Sequence, residues 1–244
     1  MKMIRQAISF FILFSVQVFF AQNIFKGEVS YIIKMGSENI ELYKKSESRK
    51  KMDKRTRNYL DKMYFNSTIE EGVLLFKNDE SLFQVTDKMR NDSYKGLNMV
   101  KNEAGGKKIF YYNSVVKKNI EQDCEMLGKC FLIETPLYEW EITQETKTIG
   151  NYLCYKAIIT KEYKGRKSYT IAWFTPQIPV NFGPRNYNGL PGLILELEKN
   201  SIIYTAKKIE LNSNRIIEIE RPKGKGITQK EFRTLYQKSM NVKF

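Results

Sequence analysis

The 244-residue chain contains no histidine. Histidine is the side chain that titrates nearest neutrality, so the commonest general base and nucleophile activator is missing. Histidine-based triads and histidine-ligated zinc hydrolase sites are thereby excluded. Cysteine is scarce, with only Cys124, Cys130 and Cys154. Their spacing is not of CxxC type, so no metal site is expected from them. No glycine-rich phosphate motif follows a strand pattern and no calcium loop is present, so no cofactor is expected. Proline is limited to six residues, four of which fall between Pro176 and Pro191. Beyond the first two dozen residues, no apolar run approaches the roughly 20 residues that a membrane-spanning helix needs.

Those first residues read as a targeting segment. Lys2 and Arg5 precede an uncharged apolar run over 7–21, too short to span a bilayer and followed at once by polar residues. That is the pattern of a secretory signal peptide over 1–21, cut after Ala21 to leave a single domain over 22–244. No cysteine follows the run, so no lipid anchor is expected on the new N-terminus. The expected location is the periplasm or cell envelope, with a mature chain that does not span the membrane. An oxidising compartment permits one disulfide and leaves one thiol over. Cys124 and Cys130, which flank a short loop containing Gly128, are the first candidates for the pair. Pairing of Cys154 with either of them stays open.

The formal charge of +14 becomes +12 once Lys2 and Arg5 are removed. Basic residues are mixed with acids throughout, and the densest cluster is KKSESRKKMDKRTR over 44–57. In a cytosolic chain such a run raises nucleic acid as a partner. Export argues against it, and anionic envelope surfaces become the natural alternative to a merely solubilising face.

Most of the chain alternates with the period of strands. GEVSYIIKM, VLLFKNDESLFQV with a hairpin at Asn78-Asp79, and KKIFYYNSVVKK as one strand come first. Residues 140–174 give three strands with turns at Gly150-Asn151 and Lys164-Gly165, and LILELEKNSIIYTAKKIEL gives a hairpin at Lys199-Asn200. Short turns force antiparallel pairing. The expected fold is mainly β with minor α: a curved antiparallel sheet or incomplete, half-barrel or bowl-like barrel. One helix is expected after the first strand, over 46–64, with Met52, Thr56, Tyr59, Leu60 and Met63 as a core-facing stripe. A short C-terminal helix begins at the capping box of Thr228 and Glu231, with Phe232, Leu235 and Tyr236 as its apolar side. Residues 89–106 read as a long polar loop.

Catalytic patterns are weak. SxxK occurs at Ser48-Lys51 and Ser114-Lys117 without an accompanying SDN or KTG element. Glu139/Glu141, Glu196/Glu198 and Glu218/Glu220 have the i, i+2 spacing that puts two carboxylates on one strand face about 7 Å apart. Simple alternation at a solvated face explains the same spacing, with Leu195 and Leu197 pointing inward. No catalytic residue is assigned.

The proline and glycine block AWFTPQIPVNFGPRNYNGLPGLI carries the remaining signal. Pro176 and Pro179 stop the strand through Trp173 from continuing and favour an extended connection along an edge. Gly183-Pro184 permits a bend. Leu190-Pro191-Gly192-Leu193 fits a type II turn, with Gly192 at the position that needs positive φ.

Gly189, Leu190, Pro191, Gly192, Leu193 and Ile194 form the sequence GLPGLI. Together with AWFTPQIPV, Gly183-Pro184, IGNYLCYKA and RPKGKGITQKEF, it resembles the GLPGLI family of exported Bacteroidota envelope proteins. The Cys124/Cys130 loop is outside that likeness. The resemblance implies a signal peptide and a β-rich envelope domain associated with outer-membrane receptor systems, and it brings no established activity.

Three functions follow as expectations. The first is non-enzymatic binding of an apolar or amphipathic ligand, or of a periplasmic or outer-membrane partner, on the concave face of the sheet. The second is a protein–protein accessory module of a receptor system, docking through the GLPGLI loop. The third is a hydrolase of envelope glycans or peptides. Nucleic acid is not an expected partner.

Overall fold

The computed structural model describes residues 25–65, 67–87 and 98–241. The signal segment over 1–21 and the stretch 89–97 of the polar loop lie outside the described residues.

The described residues form one twelve-stranded sheet. Its first meander is β1 (Lys26–Met35), β2 (Glu70–Lys77), β3 (Glu80–Val85), β4 (Ile109–Asn113), β5 (Lys118–Asp123) and β6 (Phe131–Thr135). A second meander runs through β7 (Glu141–Ile149), β8 (Tyr152–Tyr163), β9 (Arg166–Thr175), β10 (Leu193–Lys199) and β11 (Ile202–Leu211). Pairing of β11 with β1 joins the two, and β12 (Lys225–Thr228) adds to β6, giving the order β12-β6-β5-β4-β3-β2-β1-β11-β10-β9-β8-β7. Three helices, α1 (Ser37–Lys45), α2 (Glu47–Lys51) and α3 (Lys54–Phe65), separate β1 from β2. The short α4 (Met99–Ala104) precedes β4, and α5 (Gln229–Asn241) follows β12.

This connectivity forces the sheet to curl. Strand β6 is second in the order and β7 is last, so a flat sheet would hold them about 48 Å apart at the usual strand spacing. Only residues 136–140 join them, a length that spans about 20 Å when fully extended. The sheet is therefore strongly curved but not closed, the mainly β, open half-barrel that the strand pattern predicts.

Its concave face is the core. Val29, Tyr31, Ile33 and Met35 alternate inward along β1, joined by Leu74, Phe76, Phe83, Phe110, Tyr112, Ala172, Phe174, Leu197 and Tyr204. Glycine makes room where rings cross the sheet: the position of a Gly72 side chain is taken by the Phe83 ring, 2.6 Å from an ideal Cβ. A register shift between Ile194 and Glu196 leaves Leu193, Ile194 and Leu195 all buried before alternation resumes at Leu197. A second, small cluster pairs Phe131 and Ile133 with Phe232 of α5. That helix starts at its capping box, in which the Glu231 amide donates to Thr228 Oγ1 and the Thr228 amide donates to Glu231 Oε2.

Five expectations need correction. The single helix over 46–64 is three helices starting at Ser37, because Ser46 accepts from the Arg49 amide and Asp53 from the Arg55 and Thr56 amides, each opening a new helix. Helix α3 buries no residue, so its stripe is not a core face; Tyr59 is 54% exposed. The proposed strand 107–118 is a hairpin of β4 and β5, turned at Asn113, whose side chain accepts from the Val115 and Val116 amides. Within the polar loop, Asn98 caps α4, which buries Val100 and Ala104 against the core. The β6–β12 pair is parallel, unlike every hairpin read from short turns.

Candidate functional site

The proline and glycine block does not run along an edge. Between β9 and β10 it folds into the concavity, burying Ile178, Val180, Phe182, Tyr187 and Leu190. Phe182 packs against Phe76 and Tyr112, and Tyr187 stacks on Tyr138 at 5.0 Å. Trp140 Nε1 donates to the Asn188 carbonyl, and Asn119 Nδ2 donates to the Asn186 carbonyl. The segment thus ties the β6–β7 connection to β5 across the gap between the two sheet edges. It occupies the surface on which apolar ligand binding was expected.

Its internal turns are tight. Pro179 and Pro191 each sit at the centre of a three-residue turn: the Val180 amide donates to the Ile178 carbonyl, and the Gly192 amide to the Leu190 carbonyl, both at 2.8 Å. A γ-turn of inverse type suits the φ that proline imposes. The expected type II turn is therefore not formed, and Gly192 lies outside the left-handed region. Glycine is needed at 192 for space, since an added Cβ would overlap the Thr175 carbonyl oxygen and approach Pro176 N to 2.8 Å. Positive φ instead falls on Gly189, at 96°. Gly183 is equally confined by the Tyr187 carbonyl, and its amide donates to Asn188 Oδ1. Pro184 is buried at the start of the bend that the Tyr187 amide closes on the Pro184 carbonyl. Leu193 and Ile194 then pair with Thr175 and Phe174 as β10 begins, and the partly buried Trp173 lies on the opposite face, under Lys147 at 4.3 Å. Pro176 caps the end of β9.

The motif turn has one open side. Pro179, Val180, Asn181, Phe182, Pro191 and Gly192 line a cleft of about 400 Å³, whose other wall is Asn78, Asp79 and Ser114. It continues past Asn78 and Asp79 into a second depression of about 740 Å³, edged by Val115, Val116, Glu80 and Arg221. Val115 and Val116 project from the β4–β5 turn with 70% and 67% exposure. The second depression is framed from behind by residues 212–224, which cross the convex face and are fixed there by Arg221 against Glu80, itself hydrogen-bonded by Tyr111. The Arg221 charge and the Tyr111 hydroxyl outweigh burial and hold the Glu80 carboxyl below its ordinary range.

The remaining candidates are scattered. Cys124 and Cys130 are joined in a disulfide between β5 and β6, while Cys154 is a buried free thiol that burial pushes up to about 11. Of the carboxylate pairs only Glu196 and Glu198 share a strand, and Glu196 is ion-paired to Lys147 at 2.6 Å. Glu139 precedes β7 and Glu218/Glu220 lie in the irregular crossing segment, so neither pair has strand geometry. Ser114 Oγ is bonded to Asp79, and Ser48 Oγ to Ser46. Among the described residues no group of three or more Cys, Asp or Glu side chains is placed to hold a metal ion. No described helix is long and apolar enough to cross a membrane.

Two overlapping stretches, residues 140–171 and 165–196, match a family described as a protein of unknown function (Porph_ging). They run from the start of β7 into β10 and include Cys154 and the whole proline and glycine block. No curated protein matches the chain. Two solved structures of PNGF-II, in C2 and P21 space groups, are similar to it at TM-scores of 0.53 and 0.51 with 13% and 14% identity. Each match covers 88% of this chain and 33% of the other, so the chain spans about a third of the length of the solved structures it matches. At that identity the likeness is one of fold.

Proposed function

We propose that the chain is an exported envelope protein of the GLPGLI type that docks a segment of a periplasmic or outer-membrane protein in the cleft beside its motif turn. The observation that carries this reading is the inward folding of 176–192. It fills the concave face with the chain's own aromatic and aliphatic side chains, and it leaves Pro191 and Gly192 as one wall of an open cleft. A cleft that mixes apolar walls with exposed valines and a few polar groups suits a polypeptide partner. The export part of the reading rests on residues 1–21, and the family part on the motif, which lies inside the stretch matching a family of unknown function.

Carriage of an apolar ligand would need room inside the sheet that residues 176–192 already take. Native mass spectrometry of protein recovered from the envelope of its own cells tests the choice. The expected mass is that of the polypeptide without its leader; a stoichiometric lipid-sized adduct overturns the docking reading in favour of carriage.

A further inference from the structure

Lys161, Arg185 and Lys199 converge around the stacked rings of Tyr138 and Tyr187, on different elements and far apart in sequence. Lys161 Nζ lies 4.4 Å from the Tyr138 ring centroid, Lys199 Nζ lies 5.9 Å from that of Tyr187, and the Arg185 guanidinium lies 5.1 Å over Phe110. Three cations close together repel one another unless carboxylates are interleaved. Here none of the three is ion-paired within the described residues. Glu103 and Glu121 are the acids whose charges reach the cluster. Glu121 is already ion-paired with Lys108 at 2.6 Å, and Glu103 offers its backbone carbonyl to Arg185 Nη1 and the Tyr204 hydroxyl.

Arg185 is the most constrained of the three. Its backbone has φ of 58°, a region that residues with a β-carbon seldom enter. Its Nε is buried and has no hydrogen-bond partner. A buried guanidinium donor without an acceptor is rare in folded proteins. Burial first, then the Arg185 charge, pull the Lys199 ammonium down to about 8, as expected for a cation held near another without a counter-ion. Burial pushes the Tyr187 phenol up, so its hydroxyl remains a neutral group in the same cluster. Lys161 is exposed, which opens the cluster to solvent at the end of β8.

We infer that Lys161, Arg185 and Lys199 form a binding site for an oxyanion, either a free one or the phosphate, sulfate or carboxylate group of a larger ligand. The anion supplies the acceptor that Arg185 Nε lacks and the counter-charge that Lys199 lacks. Lys161 draws it in from the solvent side. This site is separate from the motif cleft, sharing with it only the 176–192 segment, and does not depend on the docking reading.

The test follows thermal unfolding of the mature chain in inorganic phosphate, sulfate and citrate against chloride at equal ionic strength. At least one of the three anions is expected to raise Tm by several degrees and to saturate, which separates binding from the unsaturating effect of excluded salts. Lys199→Gln abolishes the saturable response, and Lys161→Gln at the exposed rim weakens it several-fold. The double change Lys44→Gln with Lys45→Gln, on the basic helices, leaves it intact. Absence of a saturable response to all three anions overturns the site. So does a response that survives both Lys161→Gln and Lys199→Gln, or one that the Lys44/Lys45 variant loses equally. Because Lys161 is exposed, its variant decides the matter even where Lys199→Gln fails to fold.

Discussion

Gly192 lies so close to Thr175 that a β-carbon on it would overlap the Thr175 carbonyl oxygen. The contact joins the last residue of β9 to the turn that opens β10, and it holds the inward fold of 176–192 shut. Gly192→Ala must push this backbone apart, and should destabilise the protein by on the order of 2–3 kcal/mol in urea unfolding. Gly189→Ala meets open space but keeps a positive φ, so its cost should be only about 1 kcal/mol. Equal effects at the two positions would contradict the steric assignment.

The disulfide between Cys124 and Cys130 closes a short loop, so its entropic contribution is limited to about 2 kcal/mol. The pair of changes Cys124→Ser and Cys130→Ser should lower stability by no more than that. The near-ultraviolet circular dichroism of the main core should stay unchanged, because the loop packs beside the small cluster of Phe131, Ile133 and Phe232.

The ammonium of Lys199 titrates near 8 in the folded chain and near 10.5 when unfolded. Between these values the unfolded chain binds more protons, so stability should rise as the pH goes from about 8 to about 10.5. Below 8 both states are protonated and this contribution is flat. Lys199→Met should raise stability at pH 7 and remove its share of the rise, as followed by unfolding at a series of pH values.

The three N-terminal helices are held together by side chains rather than by a core. Arg49 Nε and Nη2 bond Asp61 Oδ1 and Oδ2 at 2.8 Å, and the Tyr43 hydroxyl donates to the same carboxylate while its ring stacks on Tyr64 at 4.0 Å. The Arg49 guanidinium holds the Asp61 carboxyl below its ordinary range. Asp61→Asn should loosen residues 37–65 selectively, seen as faster amide exchange there with β1 and β11 unaffected. High salt should have the same effect in the unmodified chain.

Strands flanked by polar turns were the most legible part of the fold. The alternation of Val29, Tyr31, Ile33 and Met35, the Asn78-Asp79 turn, the run from β7 to β9, and the inward Leu195 and Leu197 are all readable without long-range information. Ser46, Asp53, Asn98 and Asn113 carried signals too, as caps and turn residues, but a longer apparent helix or strand overrode Ser46, Asp53 and Asn113, and the polar composition of 89–106 hid Asn98. The parallel β6–β12 pair depends on a chain crossing of the convex face, which no local pattern encodes. Least legible was the site. A segment containing Arg185, Asn186 and Asn188 has the composition of a surface loop, yet both asparagines are buried, with Asn188 Oδ1 accepting from the Gly183 amide and Asn186 Nδ2 donating to the Tyr138 hydroxyl. For the same reason the pairing of Lys161 with Lys199 and Arg185 appears only once β8, β10 and the inward loop are folded together.

The most direct measurement is site-specific photo-cross-linking in cells that make the protein naturally. A probe at Val116, on the edge of the depression into which the motif cleft continues, is compared with one at Tyr163, which is 73% exposed on the distant β8–β9 hairpin. Docking in the cleft requires one dominant protein adduct from Val116 that is absent from Tyr163 and is lost when Asp79→Lys is added. Identical adducts from both positions, or an adduct from Val116 that survives Asp79→Lys, would contradict it.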